Sequence, residues 1–186
     1  MTIKLIIDDK VVYETTVYNK EEKPSDALPS PGERIFDGFD ANRGVVEYNG
    51  IVATIQKWFY DTQTVVKESW CATALCYFAN LAGCLDAIGG KNDNVYAMME
   101  ACKKAAAAGK GTFYDKAHLP ERIPQYAVLF WLWSGSTMTP TSSKHVGMAE
   151  YASSGDQIYC IGGNQSNKIC TKSYPREDLY AIYCIK

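Results

Sequence analysis

The chain has 186 residues, of which 47% are hydrophobic and 22% charged, with a net charge of −2. That length suits one domain with a sizeable core, and the absence of any basic run excludes an electrostatic footprint for nucleic acid. The same weak charge argues against adhesion to an anionic wall driven by charge alone. No stretch is long enough to span a membrane, so no membrane anchor is expected. Met1-Thr-Ile-Lys-Leu-Ile-Ile-Asp-Asp is too short in apolar length, and too soon acidic, for a signal peptide. Synthesis in a cytoplasm is therefore expected.

Lys4 to Ile7 and Val11 to Val17 flank an Asp8-Asp9-Lys10 turn and predict a β-hairpin. Asn19 to Glu33 holds Pro24, Pro29 and Pro31 among small and charged residues and reads as an arm or linker. The division is thus residues 1–33, a hairpin and Pro-rich arm, and residues 34–186, the main domain. Tyr48 to Tyr60 reads as a helix through Ile51, Ile55, Trp58 and Phe59. Cys71 to Ala82 reads as a second, with Ala74, Leu75, Phe78 and Ala82 on one face, Ser69 as its N-cap and Gly83 as its stop. Asp93 to Ala108 is a third, its four-alanine run giving helix propensity. Tyr126–Trp133, His145–Ala152, Gln157–Gly163, Ile169–Tyr174 and Leu179–Ile185 read as strands. The fold class is α+β, with helices first and the Cys71 helix packed on an antiparallel sheet of about five strands.

Cys71 falls in the first turn of its helix. Free backbone N–H groups and the macrodipole there favour a thiolate and an oxyanion. The bland alternative is a small buried hydrophobe. His145 opens a strand after a loop rich in Ser, Thr, Gly and Pro. If Ser154 and Gly155 form a two-residue hairpin turn, the register pairing Ser153 with Asp156 continues to pair His145 with Asn164. An amide opposite the ring would fix its tautomer and leave the other nitrogen for the cysteine proton. The alternative for Asn164 is a tight turn, because Asn tolerates left-handed backbone.

Trp70-Cys71-Ala72, His145-Val146-Gly147 and Gly162-Gly163-Asn164-Gln165 together resemble the CHAP amidases of the NlpC-type papain-like group. The likeness is greatest to the small phage- and prophage-associated branch and spans about Val46 to Ile185. It implies a papain-like fold and a peptidoglycan hydrolase, either an amidase or an endopeptidase. It also implies Cys71 as nucleophile, His145 as base and acid, and Asn164 as the orienting residue. Trp70 and Gln165 would line a cleft for a peptidoglycan peptide or muropeptide, although Trp70 also suits the core. Lacking a signal peptide, such a protein would reach the cell wall by release or export, with a holin-type or immunity partner possible. Other readings of the same fold are a secreted effector toxin, a protein-directed thiol peptidase or a non-catalytic wall-binding relative.

The sequence has seven cysteines, expected as free thiols. No Cys-x-x-Cys pair is present and the two histidines lie far apart, so no zinc is expected. Before Cys71 there is only Asp61 where a calcium-binding relative would have several acids, so no calcium is expected either. No cofactor is implied.

Overall fold

A computed structural model of the protein describes residues 2–7, 10–16, 28–133, 137–142 and 144–186. Helices α1 (Pro31–Asp40), α2 (Gly50–Tyr60), α3 (Cys71–Leu81) and α4 (Val95–Ala107) come first, apart from one hairpin. The hairpin pairs β1 (Thr2–Ile7) with β2 (Lys10–Thr16) in a two-stranded sheet, as the sequence predicts. Its Asp8-Asp9 turn, its predicted last residue Val17 and the arm as far as residue 27 lie outside the described residues.

The main sheet is antiparallel and has six strands: β3 (Gly111–Asp115), β4 (Val128–Leu132), β5 (Lys144–Ala149), β6 (Gln157–Gly162), β7 (Cys170–Pro175) and β8 (Leu179–Ile185). Their order across the sheet is β3-β8-β4-β5-β6-β7. The α+β class is the one expected from the sequence. The added strand is β3, a short Gly-Thr-Phe-Tyr-Asp segment that pairs with β8 at the sheet edge.

The first helix is also an addition. Pro31, Gly32 and Glu33, read as the end of the arm, form the first turn of α1. The cause is local. Ser30 accepts a hydrogen bond from the Glu33 backbone N–H at 3.2 Å, and Pro31 sits where a missing N–H costs nothing. Ser-x-x-Glu is the capping-box pattern. Ile35, Phe36 and Phe39 then bury one face, with Phe39 against Phe78 of α3 at 4.6 Å between ring centroids.

Strand β4 is buried on both sides, which explains its unbroken apolar run. Val128, Phe130 and Leu132 join the helices in one core. Leu129 and Trp131 turn to a second, smaller core with Ile123, Ile158, Cys160, Leu179 and Ile182. Helix α3 lies on the first face, with every residue from Cys71 to Ala79 buried. Residues opposite one another on antiparallel strands share a face. Val146, opposite Phe130, therefore faces α3, and His145, opposite Trp131, stands on the second face.

Replacing Ser30 with Ala should cost about 1 kcal/mol through loss of the cap. Urea unfolding should show a lower midpoint with an unchanged m-value. An unchanged midpoint would mean that α1 does not depend on its cap.

Candidate functional site

The site assembles where the first turn of α3 meets the start of β5 and the end of β6. Trp70, not Ser69, is the N-cap residue of α3, and it makes no side-chain capping bond. Gly83, with φ +69°, ends the helix as expected. The first in-helix amide bond runs from Ala74 N–H to the Trp70 carbonyl at 3.0 Å, so the N–H groups of Cys71, Ala72 and Thr73 are left over from the helix ladder.

Cys71 is buried, and burial pushes its thiol above the ordinary range. Backbone groups of Val146, Ala72 and Cys71 itself act in the opposite sense, as does the charge of Lys144. Only a donor favours a thiolate, so it is the N–H of Val146 that acts on the sulfur. That amide is available because β6 stops short: the recorded β5–β6 pairs are Met148 with Ile161 and Ala149 with Cys160.

This register is the one read from the sequence, but the strand is shorter at both ends. On one side Ser153 pairs with Ile123 instead of closing a two-residue turn. On the other, the chain leaves the sheet after Gly162, and Asn164 takes a left-handed conformation with φ +60°. Asn164 is the tight-turn residue of the alternative reading. Among the described residues no hydrogen bond joins Asn164 to His145, nor Cys71 to His145.

The turn packs directly on helix α3. A Cβ at Gly163 would lie 2.6 and 2.7 Å from Trp70 ring carbons and 2.8 Å from the Ala74 Cβ. Trp70 is accordingly a core residue with no exposed surface, its Nε1–H donating to Glu47 Oε1 at 3.1 Å. It does not line a cleft. Gln165 does not line one either. It is buried, and its Nε2 donates to the carbonyls of Cys160 at 3.0 Å and Cys170 at 2.5 Å. Its Oε1 accepts from the Tyr174 hydroxyl at 2.6 Å. Both residues were expected to face substrate; both instead build the site's frame.

His145 lies among aromatic rings. Trp133 stacks on the imidazole at 5.9 Å with a 20° interplanar angle, and Tyr174 sits tilted at 6.0 Å. His145 Nε2 is buried with no hydrogen-bond partner. Burial, with a smaller contribution from the charge of Lys172, pushes the imidazole down to about 3. The ring is therefore neutral at neutral pH. Trp133, 41% exposed, is the ring of this group most open to solvent. Neither Trp133 nor Tyr174 was picked out from the sequence as a site residue. Tyr174 reaches His145 from β7, two strands away, so no local pattern announces it.

Apart from Cys71, four cysteines are buried and two, Cys170 and Cys184, are half-buried; all seven are free thiols. Burial pushes Cys76 and Cys160 up to about 12. Among the described residues no group of three or more His, Cys, Asp or Glu side chains could hold a metal ion. Nor is any helix there long and apolar enough to cross a membrane. A cavity of about 480 Å³, lined by Tyr60, Val66, Glu68, Ser69, Asp93 and Asn94, opens two residues before Cys71.

A depressed histidine makes the fold acid-sensitive. Above pH 6.5 the imidazole is neutral in both folded and unfolded chains and contributes no pH dependence. Below that, the unfolded chain binds a proton that the folded one refuses, so stability falls until pH reaches about 3. The His145 share of that loss is up to about 1.4 kcal/mol per pH unit. Urea titrations at pH 7, 5.5 and 4.5 should show a steeper loss for the wild type than for His145→Gln. Parallel losses would mean that the imidazole is not shielded. Compared with family models, with curated proteins and with solved structures, the chain has no match, so its function is argued from the site and from the three motifs.

Proposed function

We propose that the protein is a cysteine amidohydrolase that cleaves an amide bond in the peptide part of peptidoglycan by acyl transfer through Cys71. One juxtaposition carries the reading. The Cys71 sulfur lies at a helix N-terminus against the Val146 N–H, on the strand whose preceding residue is His145, and Gly162-Gly163 closes the same spot. The reading is supported by the backbones of the three motifs lying side by side, with the His145 ring on the sheet face away from α3.

In the proposed reaction the Cys71 thiol loses its proton to His145 as sulfur attacks the carbonyl. The N–H groups of the first turn of α3 and of Val146 are donors for the oxyanion. His145 then gives the proton to the leaving amine, and a water activated by His145 releases the acyl group. Both groups rest uncharged, so proton transfer accompanies attack; no thiolate–imidazolium pair precedes it. Substrate entry has to bring ring and sulfur together, since no hydrogen bond joins them at rest and His145 stands on the sheet face away from α3.

A second reading is recognition without catalysis. It draws support from the same separation and from the burial of both Cys71 and His145. Iodoacetamide separates the two. A hydrolase whose site opens should alkylate at Cys71 faster than at Cys76, Cys102 or Cys160, and a binding protein should show no such preference.

Purified muropeptides incubated with the protein should yield products with a new amino group, read by mass spectrometry. Cys71→Ala should lower the rate at least about a thousandfold while leaving the fold intact. Full activity in that variant would end the thiol mechanism.

A further inference from the structure

We infer that His145 is positioned by Tyr174 and Gln165, not by Asn164, with the imidazole held by ring contact and the contacting ring locked by one hydrogen bond. The kinetic part of this inference rests on the hydrolase reading; the geometric part does not.

Gln165 is the anchor. It is 2% exposed, and its amide links two strands of the frame through three carbonyls, those of Cys160 and Gly162 on β6 and of Cys170 on β7. A buried amide with its donors so engaged has one orientation, because a flip would set an oxygen against those carbonyls. Its Oε1 is thereby aimed at the Tyr174 hydroxyl, which donates at 2.6 Å. That bond fixes the Tyr174 ring at the far end from its backbone. The ring then touches Trp131 at 5.1 Å, Trp133 at 5.4 Å and His145 at 6.0 Å between centroids. Trp133 stacks on the imidazole and contacts Tyr174, so the three rings form one mutually contacting cluster.

The same anchor borders the imidazole edge. A Cβ at Gly162 would lie 3.1 Å from His145 Nε2 and 3.3 Å from Gln165 Nε2. Glycine at 162 therefore lets the imidazole edge and the amide close in on the same backbone atom. Among the described residues Asn164 makes no side-chain hydrogen bond, and its backbone serves the left-handed turn with φ +60°. Tyr174 and Gln165 are thus positioning residues: they act on the reaction through His145.

The test is Tyr174→Phe, which keeps the ring and removes the hydroxyl. The sequence has two histidines, and His118 is an exposed residue paired with Asp115 at 2.7 Å, which makes it an internal control. Long-range ¹H–¹⁵N spectra should show the His145 signals of the wild type as one tautomer. In Tyr174→Phe those signals should shift or split into two tautomers while those of His118 stay fixed; His145→Gln assigns them. In Asn164→Ala they should superimpose on wild type. With muropeptide as substrate, Tyr174→Phe should lose about tenfold in kcat with KM within about twofold, as expected when a catalytic group is misaligned and not removed. Unchanged His145 signals in Tyr174→Phe would overturn the inference, as would a shift caused by Asn164→Ala in their place. If the wild type cleaves no muropeptide, the hydrolase reading fails separately and the spectra alone decide the positioning.

Discussion

Gly163 has space for a hydrogen and for no side chain, because the Trp70 ring and the Ala74 methyl of α3 occupy the volume a Cβ would need. This seating of a glycine turn on a helix N-terminus is the constraint behind the rest of the site. The chain leaves the sheet at Gly162 as it enters this turn, and Asn164 follows in a left-handed conformation. Strand β6 therefore ends before it can pair with the start of β5, and the Val146 amide is free to face the Cys71 sulfur. A longer β6 would bury that amide in a ladder bond. Trp70 is held in place by its bond to Glu47 and by full burial, so the neighbour of Cys71 is a structural post.

The electrostatics follow from the same packing. Cys71 and His145 are both desolvated, which favours thiol over thiolate and imidazole over imidazolium. The helix N-terminus and the Val146 amide oppose this for sulfur, but burial is the larger effect. A resting pair of neutral groups is chemically quiet. On the proposed hydrolase reading, its reactivity depends on substrate bringing the ring and the sulfur together.

Much of this was legible in the sequence where the signal was local. The α3 helix, its Gly83 stop and the β5–β6 register all follow from short-range patterns. The register was correct at Met148–Ile161 and Ala149–Cys160, yet the pairing of His145 with Asn164 drawn from it did not form. Register says which residues would meet if a strand continued; it does not say where packing ends the strand. Helix α1 carried a readable Ser-x-x-Glu signature, masked by a proline cluster that reads as linker. Proline at the first helical position is compatible with both. Trp70 and Gln165 were assigned to a cleft because they flank motif residues, but adjacency along a chain does not distinguish the lining of a site from its scaffold. Tyr174 and Trp133 illustrate the opposite failure, since their contact with His145 is made across the sheet and its closing loops.

The central claim is that Cys71 carries the acyl group, and intact-protein mass spectrometry under turnover tests it most directly. Muropeptide mixed with the protein and quenched in acid within the first turnovers should add the mass of an acyl fragment. Peptide mapping should place that fragment on Cys71 as a hydroxylamine-sensitive thioester. Hydrolysis that proceeds with no adduct at any cysteine, or with the adduct on another of the seven, would contradict the account.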